Sequence, residues 1–331
     1  MSPLRVRLFG GFSLQRDACN CESVQSGKAR ELLCYLLLHR HRSHSREVLA
    51  SMLWGDRTTT QSKKYFRQTL WQLQQALHAP SDNLSDPAVT LRTDGESVRL
   101  ECQPHFWLDT AIFEAAFAPV RGMAGEDLDE QKARSLRRAA DLYKGELLEG
   151  WFQDWCLLHR ERLQNAYESI LEKLMGYCEK HGDFEGGQGY GELLLCQDQA
   201  RERTYYRLMR LHYLAGDRVG AIRLFQRCEE ALKKELGVQP GSRIVELYNR
   251  LRAGQAGVAM ATESESHVAA GTQRSEMLDN RLRRIKSLLL RVRQRLQRDI
   301  RDVDAALTAR QKDLNVEKAS HPRMAGPQKS P

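Results

Sequence analysis

Residues 60–77 read TQSKKYFRQTLWQLQQAL, and the way this stretch projects onto a helix decides the reading of the N-terminal part of the chain. At 100° per residue, Phe66, Leu70, Leu73 and Leu77 fall in one narrow stripe. A stripe of this kind faces a core. The opposite side carries Lys64, Gln68, Trp71 and Gln75, flanked by Arg67 and Gln72, with Lys63 beside Lys64 near the helix start. In a major groove, Arg reads guanine and Gln reads adenine through paired hydrogen bonds. The N-terminal part of a recognition helix is the part that enters the groove. A solvated polar helix face has the same composition, so the neighbouring elements have to decide.

Working outward, residues 4–14 alternate Leu4, Val6 and Leu8 with Arg5 and Arg7, then turn at Gly10-Gly11 before Phe12 and Leu14, the pattern of a short hairpin. Ser26 is placed to cap a helix carrying Leu32, Leu33, Leu36 and Leu37. Ser45 is placed to cap a second, with Val48, Leu49, Met52 and Leu53 inward and Glu47 in its first turn, favourable to the helix dipole. After residues 60–77 and a polar loop, two short strands surround Asp94-Gly95. Strands, three helices and a hairpin, in that order, predict a winged helix with residues 60–77 as its recognition helix. Lys63, Lys64, Arg67, Gln68, Trp71 and Gln72 are then the candidate DNA contacts. Arg92 and Thr93 near the hairpin tip join them, within reach of phosphate or the minor groove. Trp71 is costly in water without a partner. It packs on a thymine methyl or sugar, on a second protomer, or back over a neighbour.

Residues 128–253 carry almost no strand pattern. Their amphipathic stretches break at Gly182-Asp183 and Gly216-Asp217, and that separation matches the tetratricopeptide period of 34 residues. Helices follow each break, with Phe184, Tyr190 and Leu194 in one and Val219, Ile222 and Phe225 in the other. A further helix carries Tyr205, Leu208, Met209 and Leu211, and the last carries Ile244, Leu247 and Leu251. Stacked helix pairs of this kind share a continuous core. Gly186, Gly187, Gly189 and Gly191 weaken the helix they fall in, by about 1 kcal/mol each against alanine, so residues 184–195 are expected to fray. Trp151 and Trp155, four apart, share a face if helical, serving either core packing or protein interaction.

Charge is unevenly spread. Residues 1–110 hold 14 Lys and Arg against 11 acids, residues 111–274 hold 23 against 25, and residues 275–331 hold 14 against 7. The excess of +8 therefore sits mostly in the C-terminal segment. There, residues 255–275 read as a linker. Leu278, Leu282, Ile285, Leu289, Val292 and Leu296 follow a coiled-coil spacing that Ile300, Val303 and Leu307 continue, under a surface of arginines. Self-association through residues 278–307 is expected, and disorder from about 316.

The eight cysteines form no CxxC pair, so reduced thiols in a cytosolic fold are expected rather than a metal site. His39, His41 and His44 lie near Cys34 but alternate with Arg40 and Arg42, and read as solvated residues at a helix end. No apolar run is long enough to cross a bilayer, and the N-terminus lacks a signal-peptide pattern, so a cytoplasmic location without membrane contact is expected. There is no P-loop, GxSxG, HExxH or dinucleotide fingerprint, which argues against an enzyme or a cofactor.

The stretches LRVRLFGGFSL, SGKARELLCYLLLH, SREVLASMLWGD, FRQTLWQLQQAL and LRTDGESVRL resemble the OmpR-type winged helix of SARP-like regulators, the antibiotic regulatory protein family. YKGELLEGWFQDW, HRERLQNAYESILEKL, RERTYYRLMRLHYLAGDRVGAIRLFQRCEEALKKELGVQP and ELYNRL resemble the bacterial transcriptional activator domain, the usual companion of that winged helix. Where family members continue with serine and arginines, this chain has Trp71, Gln72, Gln74 and Gln75. The expected organisation is mainly α. It runs from a winged helix at 1–110 to a TPR-like helical domain at 111–254, a linker at 255–275, a basic amphipathic helix at 276–315 and a tail at 316–331. The resemblance implies a DNA-binding transcriptional regulator, an activator that recruits RNA polymerase. The alternative is a helical-repeat adaptor whose winged helix has lost specific DNA binding.

Overall fold

A computed structural model of the chain describes residues 4–16, 19–20, 24, 26–77, 88–103 and 106–254. The polar loop 78–87, the linker, the coiled-coil seam with its self-association and the tail lie outside the described residues.

Strands β1 (Arg5–Arg7) and β2 (Ser13–Arg16) pair antiparallel, Val6 opposite Leu14, across the Gly10-Gly11 turn. β3 (Cys19–Asn20) extends that sheet beyond β2. Then come α1 (Gly27–Leu38), the short β4 (His44–Ser45), α2 (Arg46–Leu53) and α3 (Thr59–Leu77). β5 (Val89–Asp94) and β6 (Ser97–Cys102) form the hairpin, Asp94 opposite Ser97, and β4 lies along the outer side of β6. β7 (Trp107–Leu108) pairs parallel with β1 and leads into α4 (Asp109–Phe117). This is a winged helix, with β4, β6 and β5 as the wing.

Two local expectations fail here. Ser26 and Ser45 stand at the N-caps of α1 and α2, yet neither side chain makes a capping bond. The reason at Ser45 is its place in a strand: the next amide, Arg46 N–H, donates to Glu96 O of the wing at 2.8 Å, so the helix start is anchored by backbone instead. Ser26 contributes its carbonyl, which accepts from Arg30 N–H. In α2 the inward stripe is Leu49, Ala50 and Leu53, while Val48 is 57% exposed. A helix of two turns has room for one narrow buried stripe, and Leu49 with Leu53 fills it.

The helical half runs through α5 (Glu130–Leu142), α6 (Asp154–Lys180), α7 (Phe184–Gln197), α8 (Glu202–Leu214), α9 (Arg218–Leu236) and α10 (Ser242–Ala253), each packed on the next. The two Gly-Asp breaks are equivalent turns. Gly182 and Gly216 adopt φ +73° and +83°, and the following aspartates cap the next helices, Asp183 accepting from Gly186 N–H at 3.0 Å and Asp217 from Gly220 N–H at 2.8 Å. The glycine-rich α7 is one continuous helix over Phe184–Gln197. Two of its glycines, Gly187 and Gly191, lie on the side that meets α8: a Cβ on Gly187 would stand 3.0 Å from Leu211 Cδ1, and one on Gly191 2.4 Å from Leu208 Cδ2. The propensity cost is offset by close approach of two helices. In α9 the buried stripe is Ala221, Leu224, Phe225, Cys228, Ala231 and Leu232, and Val219 faces solvent.

The two halves share a core at the N-terminal hairpin. Leu8 O accepts from Leu148 N–H at 2.8 Å, Gly10 N–H donates to Glu146 O at 2.9 Å, and Glu149 N–H donates to Gly10 O at 2.7 Å. The buried Asp109 carboxylate accepts from Leu8 N–H at 2.7 Å and Phe9 N–H at 2.9 Å, and its burial raises its pKa against those bonds. Phe9 packs on Phe113 and Tyr143, ring centroids 5.1 and 4.8 Å away.

A second joint contains the histidines. His44 is buried and His39 half-buried, so they are not solvated residues. His39 Nε2 is 3.2 Å from His159 Nε2 of α6, and the Tyr35 ring packs on His39, His44 and Trp155. Trp155 and His159 of α6 pack against the end of α1 and displace water that local sequence would suggest.

Candidate nucleic-acid interface

The start of α3 is set by the turn before it. Ser62 is buried, and its hydroxyl donates to Trp54 O at 2.9 Å and shares Thr58 O at 3.1 Å. That hydroxyl ties the first turn of α3 to the end of α2. Phe66, Thr69, Leu70, Leu73 and Leu77 then bury one face. The face opposite is left in water: Lys63, Lys64, Arg67, Gln68 and Trp71 are exposed, and Gln72 is half-buried. Trp71 is 60% exposed, which disposes of the version in which it folds back into the protein.

The cations differ in their surroundings. Lys63 is ion-paired with Glu47 of α2, and the pair holds the Glu47 carboxyl below its usual range. Arg67 Nε donates to Lys63 O at 3.4 Å, along its own helix. In the wing, Arg92 pairs with Glu101 across the hairpin at 3.0 Å, and Thr93 is exposed beside it. The wing tip is docked to the start of α2, where the Arg46 guanidinium donates to Gly95 O at 3.1 Å. Neither Arg46 nor the pairing role of Glu47 was read from the sequence. Glu47 was legible only as a first-turn acid, because its partner is sixteen positions away on another helix.

Trp151 and Trp155 are not on one helical face. Trp151 lies in the extended stretch before α6 and Trp155 within its first turn. Their rings meet edge to face at 6.4 Å, and Trp155 also packs edge to face on Tyr35 of α1 at 5.5 Å. Arg160 holds the preceding loop in its own shape, donating to the carbonyls of Leu147, Leu148 and Trp151 at 2.7–2.9 Å. Among the described residues no group of three or more His, Cys, Asp and Glu is placed to hold a metal, and no helix is long and apolar enough to cross a membrane.

Comparison with known proteins bears on the helical half first. Residues 108–252 match the family described as bacterial transcriptional activator domain. This half of the chain is therefore similar to a bacterial transcriptional activator domain, and is called the activator domain below. In the chain, the activator domain stands behind a winged helix, the architecture of the SARP-like regulators that the sequence resembles. The chain is 27% identical over 279 residues to "Regulatory protein AfsR" of Streptomyces coelicolor, a match that covers 83% of this chain and 27% of that protein. The chain thus spans about a quarter of the length of that relative. A solved structure of Mycobacterium tuberculosis EmbR, in complex with a low-affinity phosphopeptide, is similar in fold. Its TM-score is 0.57 at 21% identity, over 79% of this chain and 68% of that one. At that identity the likeness is one of fold.

Proposed function

We propose that this protein is a sequence-specific double-stranded-DNA-binding regulator of transcription that works in the cytoplasm. In this reading α3 enters the major groove and the wing meets the backbone. The activator domain carries protein contacts, RNA polymerase among them. The observation that carries the reading is the exposed face of α3, where Lys63, Lys64, Arg67, Gln68 and Trp71 stand in water opposite a fully buried apolar stripe. The stitched joint between the two halves supports it further. A winged helix fixed to the activator domain positions that domain on the promoter once α3 is seated.

Mobility-shift titration on promoter fragments tests the reading. The wild-type chain is expected to shift duplex DNA at low salt, and Lys64→Ala and Arg67→Ala to weaken the shift. A wild type that shifts no fragment at low salt overturns it. The adaptor reading has one observation in its favour, the ion pair that occupies Lys63. It is the outcome left standing if the shift fails while the activator domain still captures RNA polymerase.

A further inference from the structure

The exposed side of α3 has a chemistry narrower than DNA binding in general. The helix TTQSKKYFRQTLWQLQQAL holds no acidic residue. Its cations cluster near the start, while the remaining exposed face presents Gln68, Trp71, the half-buried Gln72 and Gln75. Cytosine is read by carboxylates, which accept from its N4 amine, and none is present. Guanine is read by Arg or Lys, and these all lie at or before Arg67: Lys63 is engaged by Glu47, Arg67 donates its Nε to the carbonyl of Lys63, and Lys64 is exposed. What the exposed face offers after Arg67 is glutamine, whose amide matches the N6/N7 edge of adenine, and a large apolar ring. The 5-methyl of thymine is the one apolar group that a base pair offers in the major groove.

We infer that α3 reads an A·T-rich core, with Gln68 paired to an adenine and Trp71 packed on a thymine methyl. This deepens the DNA-binding reading above and rests on it. Trp71 is then not surface waste. A tryptophan 60% exposed on a helix otherwise polar on that side gains a partner when the groove covers it. Lys64, ahead of Gln68 on the same face, meets phosphate or the flanking pair.

The test is in-vitro selection of duplexes from a randomised pool by the full chain, followed by anisotropy titrations on the selected site. The expected site has contiguous A·T pairs at its centre. Replacing the contacted thymine by deoxyuridine removes one methyl and weakens the wild type about fourfold, the size expected for one buried methyl. Trp71→Ala, an exposed position whose loss leaves the core intact, binds thymine and uracil sites equally. Gln68→Ala loses about tenfold of its preference for A·T over G·C at one position. A selected site with a G·C core overturns the inference and leaves DNA binding standing. So does a uracil effect of equal size in wild type and Trp71→Ala. Loss of self-association in the DNA-free Trp71→Ala chain by sedimentation, with its thymine preference unchanged, assigns the ring to a second protomer and also overturns it. If the pool yields no enriched duplex at all, the DNA-binding reading falls, and this inference with it.

Discussion

His39, at the end of α1, and His159, in α6, approach with their Nε2 atoms 3.2 Å apart, across the joint between the winged helix and the activator domain. Two imidazoles at this distance share one proton: one donates and the other must be neutral to accept. Arg162 donates to His159 Nδ1 at 3.4 Å, which assigns the shared proton to His159 and the acceptor role to His39. Around them stand Arg42, Arg162, His44 and the Arg40–Glu114 and Arg162–Glu114 pairs.

The first prediction is a pH-sensitive joint. Burial, then His159 and Arg42, hold His39 down at about 4, and His44 and His159 are lowered in the same direction. A base whose folded pKa lies below its unfolded value binds fewer protons when folded. Stability is therefore full above the ordinary histidine value of 6.5 and is lost as pH falls toward about 4. The half-exposed setting discounts the loss to about 1–2 kcal/mol. Thermal unfolding at pH 7.5 and pH 5 is expected to show a larger drop for wild type than for His39→Gln. Equal drops would sink the idea.

The second prediction concerns Glu47. A lysine already paired with a carboxylate releases little counterion when it meets phosphate. Glu47→Gln frees Lys63, which is expected to tighten duplex binding a few-fold and steepen the slope of log K against log salt by about 0.9. Lys64→Ala should flatten that slope by a similar amount. An exposed pair of this kind contributes little to folding, about 0–1 kcal/mol, so the variant's melting temperature should barely move. An unchanged slope in both variants would show that neither lysine meets phosphate.

How much of this was legible in the sequence follows from the range of the interactions. The stripe Phe66, Leu70, Leu73 and Leu77, the Gly10-Gly11 and Asp94-Gly95 turns and the 34-residue spacing are local patterns, and they folded as read. What escaped are contacts between distant segments. His39 and His44 sit in a polar, arginine-rich stretch and gave no sign that Tyr35 packs on both or that His159 of α6 meets His39. Trp151 and Trp155 had helical spacing, but Arg160 holds the first of them in a loop. The glycines of α7 were read by propensity alone, because the approach of α8 is a tertiary fact. At the candidate interface, the exposed residues of α3 were readable by periodicity, while the acids that engage Lys63 and Arg92 were not, since each lies on a separate strand or helix.

A third prediction separates the two roles that glycine plays in α7. Gly189 is exposed and a Cβ there meets nothing within 4 Å, so Gly189→Ala is expected to stabilise the chain by about 0.5–1 kcal/mol. Gly191→Ala would drive its methyl to within 2.4 Å of Leu208 and is expected to destabilise by about 1–3 kcal/mol. Urea unfolding of the two variants checks the opposite signs. The same sign in both would mean that α7 and α8 do not pack as described.

The last prediction is about Arg160, buried where the loop 146–149 is stitched to the N-terminal hairpin. Its guanidinium satisfies the carbonyls of Leu147, Leu148 and Trp151, with Glu146 at 3.6 Å as counter-charge. Leu148 is also the one described non-glycine residue at positive φ, 47°, a strained backbone that the bonds through its own N–H and C=O offset. Arg160→Met fills the same volume but leaves buried acceptors without donors, each worth about 1–3 kcal/mol. Some relax toward one another or water, so a net loss of about 3 kcal/mol is expected in urea unfolding. Arg160→Lys, with a single point charge in place of a planar fork, should recover only part of it. Because this loop ties the winged helix to the activator domain, Arg160→Met should also speed proteolysis near residues 146–153. It should raise the solvent exposure of Trp155 as well, read by quenching of its fluorescence. A loss under 1 kcal/mol with unchanged proteolysis would mean that the loop holds its shape without the arginine.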